Sequence, residues 1–124
     1  MEDKVKNIIC YLQDDEDKWK GNIILDKENS FKGIAHNRIN NSYIIGSIVD
    51  DSICFSVANK SFNPENYSLN KTGSFNGVEY YDGTYIDYNG LNHKCYLTVE
   101  NSNEDIKVLK KDINNILNNI NKKD

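Results

Sequence analysis

The sequence predicts an all-β fold, an antiparallel up-and-down barrel of about eight strands with a C-terminal amphipathic α-helix. Three observations predict it. Apolar and polar residues alternate with period two from about residue 7 to residue 100. Five of the seven glycines lie two residues after an aromatic ring, among them Trp19-Lys20-Gly21, Phe31-Lys32-Gly33, Phe75-Asn76-Gly77 and Tyr81-Asp82-Gly83. Beyond Ser102 the apolar residues change to helical spacing. The 124 residues suit one domain (1–124), with the barrel over about 7–100 and the helix over about 103–121.

Eight strands follow from the alternation: 7–13, 18–26, 31–37, 42–50, 52–59, 73–79, 82–89 and 92–100. The first is ambiguous, because Val5, Ile8, Ile9 and Leu12 also share one helical face, so residues 5–12 read as strand or helix. Between the second and third strands, "DKENS" suggests a three-residue loop with Asn29 left-handed. Asp26 then pairs with Ser30, Leu25 with Phe31, Ile23 with Gly33 and Gly21 with Ala35. Trp19, Gly21, Ile23, Leu25, Phe31, Gly33 and Ala35 share the inward face. A two-residue turn at Asp50-Asp51 sets Ile48 opposite Ile53, Gly46 opposite Phe55 and Ile44 opposite Val57. Asn89-Gly90 is a short hairpin signal that sets Tyr88 opposite Leu91, Ile86 opposite His93, Thr84 opposite Cys95 and Gly83 opposite Tyr96. The stretch from Asn59 to Gly73, with the only proline, reads as a long irregular connection.

The ring-and-glycine spacing belongs to the barrel. Residues i and i+2 of a strand share a face, so a ring can cover bare backbone two residues on. Strongly coiled strands need close backbone approach, and aromatic cover restores packing there. Gly90 is the exception, since its turn needs positive φ.

"SNED" at Ser102–Asp105 resembles a capping box. Ile106, Leu109, Ile113, Ile116, Leu117 and Ile120 form the apolar stripe that follows. That stripe either packs on the outward Ile24, Ile34, Ile45 and Val49 or forms a helix–helix contact in a homodimer.

A net charge of −4 and the lack of a basic face outside the helix exclude nucleic acid as the expected partner. The N-terminus has no basic and apolar leader pattern, and no apolar run is long enough to span a bilayer, so no membrane association and a cytoplasmic location are expected. Cys10, Cys54 and Cys95 lack CxxC spacing and read as free buried thiols, with no metal and no cofactor.

No GxSxG, phosphate loop, HExxH or GxGxxG is present. His36 points outward to solvent. His93 points inward, beside Ile86 and near Tyr88. The carboxylates Asp14, Asp15, Glu16 and Asp17 lack calcium-loop spacing and form a solvated turn. Tyr80, Tyr81, Tyr85, Tyr88 and Tyr96 crowd seventeen residues, and those pointing outward can stack on partners.

An early-strand Trp19, a meander of short strands with glycine-marked bends and a closing amphipathic helix together resemble the calycin group of lipocalins, fatty-acid-binding proteins and avidin-like barrels. The Gly-x-Trp signature of lipocalins is not matched, the order here being Trp19-Lys20-Gly21. The resemblance implies a small antiparallel barrel that binds an apolar or aromatic ligand in its mouth. The expected function is accordingly a non-enzymatic calycin-like barrel binding such a ligand. Gly21, Gly33, Gly46 and Ala35 leave room beside Trp19, Phe31 and Phe55, and Tyr88 and His93 complete the candidate contacts. The alternative is a filled barrel acting as a protein-interaction or structural module through the C-terminal helix or the tyrosine-rich edge. A third reading, a small enzyme around His93 in the barrel mouth, would gain from a carboxylate bonded to that ring.

Overall fold

The computed structural model describes residues 3–14, 16–38, 40–61 and 63–121. Eight strands run in chain order: β1 (Lys4–Leu12), β2 (Asp17–Leu25), β3 (Ser30–His36), β4 (Asn41–Val49), β5 (Ser52–Ala58), β6 (Glu65–Phe75), β7 (Val78–Ile86) and β8 (Asn92–Asn101). Each pairs antiparallel with the next, and β1 pairs with β8 to close the barrel. A helix, α1 (Ile106–Asn121), follows. Residues 5–12 are therefore strand.

The first two of the three expected hairpins hold residue for residue. Leu25 lies opposite Phe31, Ile23 opposite Gly33 and Gly21 opposite Ala35, with Asn29 at φ 63°. Ile48 lies opposite Ile53, Gly46 opposite Phe55 and Ile44 opposite Val57, with Asp50 at φ 55°. Gly46 shows why the strands carry glycine. A Cβ built there would run into the Cys54 carbonyl oxygen and the Phe55 Cβ, so the neighbouring backbone occupies the space a side chain would need.

The later strands depart from expectation. Most of Asn59–Gly73 is not a loop, since β5 ends at Ala58 and β6 already begins at Glu65. Tyr67 and Leu69 alternate inward with outward Asn66, Ser68 and Asn70, a half-buried strand written with polar outward residues. The turn into β7 is Asn76-Gly77, both at positive φ (52° and 80°), the conformation a two-residue hairpin turn demands. The expected strand 73–79 ran through that turn, and the expected 82–89 covers the second half of β7 and the start of the loop after it.

The β7–β8 register is also one residue away from expectation. Ile86 pairs with Asn92, Tyr85 with His93, Thr84 with Lys94 and Gly83 with Cys95. The cause is the Asp87 side chain. One carboxylate oxygen accepts the backbone N–H groups of Asn89 and Leu91, both at 2.9 Å, and stabilises a five-residue loop in place of a two-residue turn. Ile86 accordingly points outward, and Tyr88 sits in the loop.

The barrel interior holds one apolar cluster that includes Ile8, Ile23, Ile44, Ile53, Leu69 and Leu97, all 1% exposed or less. A second cluster lies outside the barrel, where Leu109 and Ile113 of α1 pack on Ile24, Ile34 and Tyr43. The helix thus packs on its own barrel, against β3 and β4. It covers Ile24 and Ile34 as expected, but Ile45 and Val49 stay exposed, at 47% and 66%, because the helix runs over Tyr43 instead. It also starts three residues later than expected. Asp105 is the cap, its carboxylate accepting the Lys107 N–H at 2.9 Å, and Ser102 accepts from Glu104 outside the helix. Lys122 and Lys123, which follow the helix in sequence where the dipole prefers basic residues, lie outside the described residues. No helix among the described residues is long and apolar enough to cross a membrane.

Candidate functional site

The two ends of the barrel differ in their connections. One is closed by the tight turns at 26–29, 50–51 and 76–77, the other by the longer loops 13–16, 37–40, 59–64 and 87–91. The longer loops make a mouth, and a fault in the β1–β2 ladder shapes it. Cys10 pairs with Trp19 and Tyr11 with Asp17, so Lys18 is an extra residue on β2. A bulge re-aims the side chain it carries. Lys18 Nζ reaches Glu65 on β6 at 3.4 Å and lies 4.7 Å from the centre of the Tyr85 ring. β2 and β6 stand opposite each other in an eight-stranded barrel, so the ion pair crosses the lumen.

A second crossing lies beside it. Trp19 Nε1 donates to Tyr67 Oη at 3.0 Å, and Tyr67 Oη donates to Glu65 Oε1 at 3.1 Å. Burial, then the neighbouring Cys10 and Glu65, push the Tyr67 hydroxyl far above its ordinary range. Burial would by itself lower the Lys18 ammonium, but Glu65 and Tyr85 outweigh it and the net shift is upward. Lys18 and Glu65 are 23% and 17% exposed, mostly withdrawn from water yet still reached by it.

Beneath this brace the lumen is filled. Phe31 meets Phe55 at 6.1 Å between ring centres, Phe55 stacks on Tyr67 at 4.6 Å, Tyr67 on Tyr85 at 5.0 Å and Tyr85 on His93 at 4.9 Å. Trp19 stands edge-on to Phe55 and to Tyr67, 5.8 Å from each. The structure thus brings together four of the five candidate contact residues, Trp19, Phe31, Phe55 and His93, as members of one ring column. The room expected beside the glycines is taken by the neighbouring strands and these rings. Tyr88, the fifth candidate, sits on the mouth loop.

Space remains at the mouth. A cup of about 140 Å³, room for roughly four or five waters, is lined by Lys18, Glu65, Trp19, Tyr88, Ser42, the four asparagines Asn37, Asn40, Asn59 and Asn63, and the apolar Ala35 and Val57. Ser42 is 5% exposed and accepts a long hydrogen bond from Asn59 at 3.4 Å. Sequence reasoning missed Lys18, Glu65, Ser42 and Tyr67. Glu65 and Tyr67 lay in the stretch read as a loop, and no residue pattern announces the bulge at Lys18.

His93 is half-buried at the same end, as its parity implied, but beside Tyr85 and not Ile86. Its Nε2 lies 2.6 Å from Asp87 Oδ2. The His93 contact, followed by the Leu91 N–H, holds the Asp87 carboxyl below its usual range. This carboxylate also closes the 87–91 loop, so the pair fastens the loop to β8, and it is the carboxylate contact that the enzyme reading of His93 asked for. His36 is exposed and bonded through Nδ1 to Asn41 at 2.6 Å. All three cysteines are free, but only Cys10 and Cys95 are buried; Cys54 points outward from β5 and is exposed. Among the described residues, no group of three or more His, Cys, Asp or Glu side chains could hold a metal ion.

Compared with protein-family models, curated proteins and solved structures, the chain finds no significant match in any of the three.

Proposed function

We propose that the protein is a non-enzymatic binding barrel of calycin-like architecture whose ligand rests in the mouth cup, on the Lys18–Glu65 brace. The ligand is small and polar, with one flat face for Trp19 or Tyr88. The observation that carries this reading is the cup itself, a polar hollow built around a partly buried ion pair while the lumen below is full of rings. A half-buried ion pair is a weak stabilising device, and its placement across a cleft mouth supports a binding role. The Asn40 and Asn63 amides and the Ser42 hydroxyl bring both donor and acceptor groups to the lining. The ligand chemistry therefore moves from the apolar class expected for an open lumen to the polar class. A reducing, cytoplasmic setting suits the three free thiols.

Trp19, the only tryptophan, reports on the cup directly. Titration with a panel of free amino acids and monosaccharides should give a saturable change in its emission for at least one member, with a Kd below about 1 mM. Lys18→Met and Glu65→Gln should each weaken that response about tenfold or more. A panel without any saturable response would overturn the proposal. So would binding that survives both substitutions while the variants keep the native circular dichroism. Gly33→Leu is unsuitable for testing the lumen, because a side chain there would meet the Asn22 carbonyl.

A further inference from the structure

The helix covers one wall of the barrel, through β3 and β4. β7 and β8 stand four strands away, on the opposite wall, and their outward face is bare. Tyr11 of β1 pairs with Tyr96 of β8, and Tyr96 pairs in turn with Asp82 of β7. One pleat along, Tyr80 pairs with Thr98. All five side chains point away from the lumen, since Cys10, Leu97 and Tyr81 between them point in. They line a groove of about 750 Å³ together with Thr72, the extra residue of a bulge in β6. Tyr80 and Tyr96 are 40% and 36% exposed.

Three features narrow the occupant. The hydroxyls of Tyr11, Tyr80 and Tyr96 make no hydrogen bond within the described protein, so three donors face outward uncommitted. The groove has no lysine or arginine, and its one charge, Asp82, has no ion-pair partner among the described residues. The barrel is closed, so there is no free strand edge to which an extended peptide could add. A polyanion finds no cation in the groove, and strand addition is unavailable.

We propose that this wall docks a proline-rich segment of a partner protein that carries a basic residue beside its prolines. Such a segment forms a polyproline II helix of about three residues per turn with no internal hydrogen bonds. Its rings fit between tyrosine faces, and its carbonyls need outside donors, which the three hydroxyls supply. Asp82 takes the basic residue. The segment is already extended and stiff, so docking costs little conformational entropy.

The test uses the full chain and two dye-labelled synthetic peptides, an oligoproline with one arginine near its centre and an oligoproline without it. Fluorescence anisotropy should saturate with the arginine peptide at a Kd below about 100 μM. Tyr80→Ala and Tyr96→Ala should each weaken it about tenfold. Asp82→Asn should reduce the arginine peptide's advantage over the neutral one, and Val49→Ser, at an exposed position away from this wall, should change nothing, which ties the binding to this surface. In the unmodified protein, backbone amide shifts on adding the peptide should centre on Tyr80, Tyr96 and Thr98, a readout that does not depend on any variant folding. The proposal is overturned by no saturation up to about 1 mM, by shifts centred elsewhere, by affinity indifferent to both tyrosines, or by cellohexaose displacing the peptide from them at lower concentration.

Discussion

The two ends of the barrel are built from the same parts and reach different results. Each has a bulge, a lysine–glutamate pair and buried tyrosine beneath it. At the mouth the bulged residue is Lys18 itself, and its partner Glu65 lies on the opposite strand. At the hairpin end Thr72 is the bulged residue, and Lys71 meets Glu79 at 3.0 Å on the neighbouring strand. Neighbouring strands are already joined by their backbone ladder, so the Lys71–Glu79 pair adds little to their position. It is also the more exposed, at 30% and 34%. Opposite strands share no ladder, and the Lys18–Glu65 pair and the Trp19–Tyr67 hydrogen bond are direct polar links between them at the mouth. An ion pair's meaning thus depends on what else connects the elements it spans.

The strongest way to break the comparison is to remove what both ends rest on. Phe55 touches Phe31 on the hairpin side and Trp19 and Tyr67 on the mouth side. Phe55→Ala should cost about 3–5 kcal/mol in denaturant unfolding, and loss of the Trp19 fluorescence anisotropy of the native state would show the mouth loosening with it. Gly46→Val on the paired strand should cost about 3 kcal/mol or more, because its side chain meets backbone and not a movable side-chain tip. A near-neutral melting temperature for either would mean the packing is wrong.

The ends themselves separate under smaller changes. Lys18→Met leaves Glu65 with only the Tyr67 hydroxyl and should cost about 1–3 kcal/mol, whereas Lys71→Met should have little effect. Double-mutant cycles on the two pairs measure this, and equal coupling would erase the distinction. Alkali offers a further comparison. Lys18 and Tyr67 both hold their protons more tightly when folded, against ordinary values of 10.5 and 10.0. Their contribution is therefore complete below pH about 10 and is lost as pH rises, since the unfolded chain releases those protons first. At the hairpin end burial, then Glu79, pushes the Tyr81 hydroxyl up to about 12. Stability should fall above pH about 10, and Tyr67→Phe should make the fall shallower. A slope unchanged by that substitution would mean Tyr67 titrates normally. The smallest effect belongs to Gly73, beside the β6 bulge, where an added Cβ meets nothing within 4 Å. Gly73→Ala should leave the melting temperature unchanged or raise it, by at most about 1 kcal/mol in stability.

Legibility followed how local the determining forces were. The β2–β3 and β4–β5 hairpins were readable to single pairings because Asn29 and Asp50 fix their turns from within the turn itself. The β7–β8 register was not, because Asp87 bonds forward to Asn89 and Leu91 and lengthens a loop that Asn-Gly alone would shorten. β6 was obscured by Pro64 and the polar Asn66, Ser68 and Asn70, whose strand conformation comes from pairing on both sides and not from propensity. Trp19, Phe31 and Phe55 were rightly placed inward, but inward residues can line a cavity or fill it. That choice rests on Tyr67 and Tyr85, which complete the column from strands whose register was misread. The mouth brace was least legible, since it joins residues 18 and 65 across the lumen through a bulge.

The seam between β1 and β8 has a consequence for the order in which the chain can fold. Lys6 of β1 bonds to Asn101 of β8 at 2.7 Å, across 95 residues of sequence. Every other strand pairing is a local hairpin, available as soon as its second strand leaves the ribosome. The seam must wait for the last strand, and closing so long a loop is the slowest kind of contact to make. Until then both β1 and the growing front of the sheet present unpaired edges, the surfaces on which nascent β-proteins misassemble. Synthesis speed over β6 to β8 therefore sets how long the unfinished sheet is open to the wrong partner, another copy of itself among them.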